Sequence, residues 1–297
     1  MAHTVTSEVT SGGASRRSES LWRKSFRRLR RNRAAMLGFA VILVLVFVAV
    51  FAPAIAPHPP NRQNPLASLQ APSSEYRLGT DQFGRDILSR LIYGTRVSLR
   101  VGLVAVGIAA VLGIPFGLIA GYYGGWVDMV ISRVVDLMLA FPGILLALVI
   151  VSIMGPSLFN VMIAVGVAAS PNYARLVRGS VLSAKEQVFV ESARAVGAYV
   201  RGILLRHILP NILAPVIVLA TLGTAGAILS AAALSFLGLG AQPPTPEWGA
   251  MLSEGRNYMR LAWWVTTFPG IAIMVTVLSV NLLGDGLRDA LDVRIRS

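Results

Sequence analysis

Five long stretches of this chain contain no Asp, Glu, Lys or Arg: residues 34–61, 101–127, 137–174, 207–246 and 261–284. An α-helix rises about 1.5 Å per residue and a bilayer's hydrocarbon core is about 30 Å thick, so roughly 20 such residues suffice for a crossing. The third stretch is too long for one span, and Gly155-Pro156 divides it near the middle. It therefore predicts two helices joined by a tight turn. The fourth ends in Gly238, Gly240, Pro243, Pro244 and Pro246, which predicts one span followed by an irregular segment. The pattern gives six helices, near 35–56, 98–121, 130–153, 158–178, 211–233 and 266–286, and hence an all-α polytopic membrane protein. Composition agrees: 55% of residues are hydrophobic and 14% charged, against about 45–50% and about 25% in soluble domains. A soluble enzyme and a disordered chain are both excluded. With no Cys in the sequence, so are a disulfide scaffold and cysteine-based zinc or iron–sulfur sites.

The formal charge of +13 is concentrated at the amino-terminus, where Arg16, Arg17, Arg23, Lys24, Arg27, Arg28, Arg30, Arg31 and Arg33 face only Glu8 and Glu19. Lys and Arg are retained on the cytoplasmic side, so the amino-terminus is expected inside, and six crossings return the carboxy-terminus there. The segment 177–210, with Arg178, Lys185, Arg194, Arg201 and Arg206, is then inside as well. One region opposes this rule. Between the first two spans, on the expected outer side, lie Arg62, Arg77, Arg85, Arg90, Arg96 and Arg100, with Asp81 and Asp86 close to Arg85 and Arg90. Residues 1–20, rich in Ser, Thr and Gly, read as a disordered tail. Residues 23–33 read as a basic surface helix, with Leu21, Trp22, Phe26 and Leu29 on its apolar side; an anchor on anionic lipid is the expectation there, not a nucleic-acid site. The first apolar run is too long for a cleaved signal peptide. The expected organisation is a basic cytoplasmic tail over 1–33, a transmembrane domain over 34–292 with a cytoplasmic loop over 179–210, and a short tail over 293–297.

The polar residues form no catalytic constellation. His3, His58 and His207 are scattered, and Lys24 and Lys185 are the only lysines. No phosphate-binding G-x-x-x-x-G-K-[ST] sequence occurs. Proton- and ion-coupled carriers place Asp, Glu or His inside the bundle, whereas 34–56, 137–154 and 211–233 contain none. Uphill transport would need a partner's energy. A membrane-embedded enzyme would need a polar cluster at one membrane face, and a self-sufficient carrier its own coupling ions; neither is visible.

The segment from Arg175 to Asn211 is the most informative. Ser183 and Glu186 have capping-box spacing, so a short helix is expected to start there. Val190, Ala193 and Gly197 fall on one small face that would let another protein approach closely. Gly197 can take the left-handed conformation that ends a helix, a second helix follows from about Tyr199 to Ile208, and Pro210 opens the next span. The result is a helix–Gly–helix finger, which the residues alone fit equally well as a pair of membrane-surface helices. Elsewhere, Gly113, Gly117, Gly121, Gly124 and Gly125 read as helix-packing positions. Pro115, Pro142, Pro171 and Pro215 read either as kinks along a path or as ordinary irregularity. Arg133 and Asp136 read as a local i,i+3 ion pair. Asp285, Arg288, Asp289 and Asp292 read as a charged helix end, and Trp126, Trp248, Trp263 and Trp264 as interfacial belts.

Glu191-Ser192-Ala193-x-x-x-Gly197, with Ile208-Leu209-Pro210 thirteen positions beyond the Gly, resembles the EAA motif of bacterial ABC-importer permeases. Ser192 replaces the usual first Ala, and His207 begins the His-Ile-Leu-Pro-Asn form of the dipeptide/oligopeptide/nickel branch. Leu78-Gly-Thr-Asp81-x-x-Gly84-Arg-Asp86, Tyr93-Gly-x-Arg96-x-Ser98-Leu99, Gly121-Tyr-Tyr-Gly124-Gly125-x-x-Asp128, Leu234-Ser-Phe-Leu-Gly-Leu-Gly240, Pro244-x-Pro-x-Trp248-Gly249 and Gly284-Asp-Gly-Leu-Arg-Asp289 resemble that branch's C-type permease subunit. The resemblance implies a type I importer permease fold in the bacterial inner membrane. It implies that Glu191, Ser192, Ala193, Gly197, His207, Leu209 and Pro210 form the coupling loop to cytosolic ATPases. It further implies a second homologous permease, two ABC ATPase subunits (or one heterodimer) that bind the ATP and Mg, and an extracytoplasmic solute-binding protein docked over 57–96 and 238–261. This chain itself would hold no cofactor. Di- or oligopeptide is the implied cargo, with nickel, glutathione and haem as alternatives.

Overall fold

The computed structural model describes residues 27–291, and apart from one lone bridge between Thr80 and Asp86 their regular structure is helical. The expected tails, the start of the basic surface helix and Asp292 lie outside the described residues. Asn32 caps α1 (Arg33–Ile55) by accepting from the Ala35 amide at 3.1 Å. Only Ala35, Gly38 and Ala52 of α1 are buried, while Leu43, Phe47 and Phe51 are exposed on its outer side. A helix this apolar that keeps its side chains outside is built for lipid.

Asp86 caps α2 (Ile87–Tyr123) by accepting from the Ser89 amide at 3.0 Å. This helix starts about eleven residues before the expected boundary. Arg90, Arg96 and Arg100 end the apolar run but not the helix: Arg90 is buried beside Asp81 and Glu254, and Arg96 and Arg100 are exposed. α2 lies directly against α5 (Leu158–Ala184). A Cβ on Gly113 would sit 2.5 Å from the Ser170 carbonyl oxygen, and one on Gly117 2.6 Å from that of Ala174. Small residues at four-residue spacing allow such backbone contact. Gly121 continues the row, whereas Gly124 and Gly125 do not: they take positive φ in the turn after α2, with nothing near enough to contact a Cβ.

The expected third span is broken. α3 (Gly125–Leu139) and α4 (Gly143–Met154) meet at 90°. Pro142 carries no N–H to continue the helical ladder, and the residue before a proline is driven out of the helical region. The turn at Gly155 is as expected, with φ at 89°; Ser157 then caps α5, and Asn160 Nδ2 donates to the Met154 and Gly155 carbonyls at 3.0 Å.

Beyond α5 come the short α6 (Val188–Ala195), the long α7 (Val200–Phe236), α8 (Trp248–Gly255) and α9 (Trp264–Leu291). Asp285, Arg288 and Asp289 are exposed at the end of α9, while Gly284 and Gly286 sit under Leu222 and Ala35. Among the described residues α1, α2, α7 and α9 are long and apolar enough to cross a membrane, and the bent α3–α4 pair makes a fifth if it counts as one span.

Candidate functional site

The loop between α5 and α7 is ordered by backbone geometry. α5 continues through Ser183 to Ala184, so the expected capping box does not form. Gln187 takes the extended N-cap conformation and α6 begins at Val188. At its far end the Gly197 amide donates to the Arg194 carbonyl at 2.9 Å and the Ala198 amide to the Ala193 carbonyl at 3.0 Å. This pair of bonds is a Schellman cap, and Gly197, with φ at 76°, occupies its left-handed position. A Cβ there would touch nothing; glycine is required by the dihedral, not by space.

The small face expected to receive a partner is divided: Val190 and Ala193 turn inward, while Gly197 stays exposed. Val190 and Ala193 are buried against Ile203, Ile208, Ile212 and Val181. The reason is amphipathicity: the apolar residues nearest the bundle close its base. The exposed side of the loop instead presents Val188, Glu191, Ser192, Val196, Gly197 and Tyr199, with Val196 84% and Tyr199 89% exposed. Sequence reasoning missed Val188, Val196 and Tyr199; the available signal was their position off the 190–193 stripe. The Arg194 guanidinium lies 5.3 Å from the Tyr122 ring centre, tying α6 to the end of α2.

Pro210 does not start a new span. The helix runs on from Val200 through a π-helical stretch at Ile203–Ile208, where the Leu209 amide reaches back to the Leu204 carbonyl. A wider turn accommodates a proline that cannot donate and would crowd a regular ladder. His207 and Leu209 are half-buried, Pro210 is exposed, and the His207 carbonyl accepts from Asn211 Nδ2 at 2.7 Å. The predicted residues are thus brought into one loop but divided: Ala193 is interior, Leu209 packs on the same core, and Glu191, Ser192, Gly197 and Pro210 face out.

The opposite end of the bundle is a knot of buried charge. Arg85 Nε donates to Asp81 Oδ2 at 2.5 Å and Arg85 Nη2 donates to Glu254 Oε2. Arg90 lies 3.6 Å from each of the same two carboxylates. Arg85 and Arg90 are both 1% exposed. Asp86 is spent on the α2 cap, its Oδ2 also accepting from Ser89 Oγ at 2.6 Å with His58 Nδ1 3.4 Å away. Glu254, from α8, is the partner that local spacing could not reveal. Trp248 and Trp264 are buried here, not in a lipid belt; their indole N–H groups donate to the Leu91 and Thr80 carbonyls at 3.2 and 3.1 Å. Trp126 and Trp263 are exposed as expected. Burial raises the Glu247 carboxyl above its ordinary value, opposed by the Gly249 and Ala250 amides that it accepts as the α8 N-cap.

Between these ends, Asp136 pairs with Arg175 of α5 at 2.7 Å instead of Arg133. Asp128 holds Arg178 through two bonds, at 2.5 and 2.6 Å.

Comparison with known proteins matches this arrangement. Residues 113–297 match the binding-protein-dependent transport system inner membrane component family, and residues 20–72 the N-terminal TM domain of oligopeptide transport permease C. The chain is 52% identical to the dipeptide transport system permease protein DppC of Alkalihalophilus pseudofirmus, over 94% of this chain and 91% of that protein. It is 50% identical to the glutathione transport system permease protein GsiD of Escherichia coli, over 93% and 91%. An inward-facing structure of the MetNI methionine ABC transporter shares the fold, with a TM-score of 0.55 at 22% identity, over 68% of this chain and 96% of that one. The chain belongs to the family of binding-protein-dependent transport system inner membrane components, as a multi-pass C-type permease subunit of the dipeptide/oligopeptide/nickel branch.

Proposed function

We propose that this permease forms half of the translocation path of an ATP-driven importer of di- or oligopeptides, and that the α6 loop is where cytosolic ATPases grip it. The observation that carries the reading is the split character of α6: Val190 and Ala193 fasten it to the bundle, while Val196 and Tyr199 stand almost fully exposed beside Glu191. An ATPase groove that takes the exposed side would transmit its motion through the buried side into α5 and α7. ATP and Mg are held by the ATPases, two copies or a heterodimer, and a second homologous permease completes the path.

The chain crosses the membrane six times, with both described ends cytoplasmic. α5 is the sixth span: its 27 residues reach about 40 Å at 1.5 Å per residue. Two of the six outer arginines weigh less against this orientation, since Arg85 and Arg90 are balanced by Asp81 and Glu254; Arg62, Arg77, Arg96 and Arg100 still run against the charge rule. The solute-binding protein docks on the outer end, where Leu66, Met259, Leu261 and Trp263 are exposed. Identity to GsiD nearly equal to that with DppC supports glutathione, itself a peptide, as the second cargo reading.

Co-purification tests the assembly: the tagged chain should bring two ATPases and a second membrane chain. A Tyr199→Cys variant should crosslink to an ATPase; crosslinking instead to the solute-binding protein would place the loop outside and end the proposal. Dipeptide and glutathione binding to the cognate solute-binding protein would decide the cargo.

A further inference from the structure

Arg175 lies well inside α5 and Asp136 in the last turn of α3, before the break to α4, yet both are widely exposed, at 60% and 58% of their side chains. Asn172 is exposed one turn before Arg175, and Gly179 and Ser183 extend the same face of α5 at helical spacing. The opposite face, with Tyr173, Val177 and Val181, is buried against α2. A cleft of about 210 Å³ opens beside the pair, floored by Gly117 and Ala120 of α2 and walled by Ser132 and Val135 of α3. Lipid is a poor neighbour for this surface: charged side chains within spans turn to the bundle interior or to a water-filled cavity. Contrast α1, whose exposed residues include Leu43, Val44, Phe47 and Val50.

We infer that the Asn172–Arg175 face of α5, with Asp136 of α3, lines the aqueous translocation path, and that the Arg175–Asp136 pair is a station for the charged groups of zwitterionic cargo. Arg175 uses Nη2 on Asp136 Oδ1, which leaves Nε and Nη1 as donors for a carboxylate. Asp136 Oδ2 remains an acceptor for an ammonium. A matched pair of opposite charges takes a peptide's two termini in turn without trapping either, because each cargo group competes with a neighbour already in place. Two proline-containing helix regions flank the site, Pro171 one turn before Arg175 and Pro142 at the α3–α4 break. The charged-cargo half of this inference rests on the peptide-importer reading; the path-lining half does not.

The chain is naturally free of Cys, which makes the test direct in the assembled importer reconstituted in vesicles, with partner cysteines removed. Asn172→Cys breaks none of the bonds described and Leu43→Cys is the lipid-facing control. A membrane-impermeant charged thiol reagent should label position 172 at least about tenfold faster than 43, as expected for water against hydrocarbon. Equal, slow labelling at both overturns the path assignment, whether lipid or the sister permease covers the face. Arg175→Gln should lower dipeptide uptake per ATP hydrolysed about tenfold, the scale of one charge-assisted contact. The swap Arg175→Asp with Asp136→Arg should recover part of it. An unchanged ratio in Arg175→Gln overturns the station. Should the unaltered complex take up no dipeptide, the cargo reading and the station with it fail, while labelling at 172 still decides the path.

Discussion

The two ends of this permease are stabilised in opposite ways. At the α8 end, Asp81, Arg85 and Arg90 are buried and the Glu254 side chain is 17% exposed, with the buried Trp248 and Trp264 in the same end of the bundle. At the α6 end, the helix depends on a left-handed Gly197, a backbone cap and two buried residues, Val190 and Ala193, with its charged and aromatic groups left exposed. A buried ion network tolerates no change in partner, since losing one charge strands the others. A capped surface helix can shift as a unit while its inner face keeps contact. On the proposed reading, the α8 end would stay rigid and the α6 end would transmit motion.

Arg85→Ala is the severest way to probe the comparison. It leaves the buried Asp81 and the partly buried Glu254 without their main cation, and the complex should lose about 3–5 kcal/mol of stability, read from thermal unfolding of the purified assembly. The double change Arg85→Met with Glu254→Leu removes one charge of each sign and leaves Arg90 with Asp81; it should be distinctly less harmful than the single change. If both lose equally, the α8 end is held by shape and not by charge balance. Gly197→Ala comes next. The open space around it excludes a clash, so the effect is the left-handed backbone penalty, about 1–2 kcal/mol. Amide exchange across 193–198 should accelerate and ATP-driven uptake should fall, with Gly197→Asn milder in both. Val196→Ser should change stability by less than about 0.5 kcal/mol, as for an exposed residue without special geometry, yet reduce uptake. Unaltered uptake there would mean the exposed face has no partner.

Legibility in the sequence followed the range of the interaction. The Gly155 turn and the Gly197 break depend on a few neighbouring residues and are readable from them; the glycine row is readable as small residues at helical spacing, but only contact with α5 shows that Gly113, Gly117 and Gly121 pack and that Gly124 and Gly125 do not. The Ser183–Glu186 capping box was wrong because a helix already under way overrides a local start signal. The Arg133–Asp136 pair was wrong because Arg175, 39 residues away, reaches Asp136 more directly. The inward turn of Val190 and Ala193 depended on Ile203, Ile208 and Ile212 already covering the base of the bundle. The helix–Gly–helix order of the 188–210 loop is legible in the sequence, but not which side of α6 is buried and which exposed.

The sequence alone determined that this chain is helical, lives in a bilayer and bends at Gly155 and Gly197, because hydration of charge and backbone sterics act residue by residue. Tertiary structure decided where charge is buried, where it lines a cleft and which side of α6 is free. Those outcomes require groups such as Arg85 and Glu254, 169 positions apart, to meet, and only the packed helices bring them together.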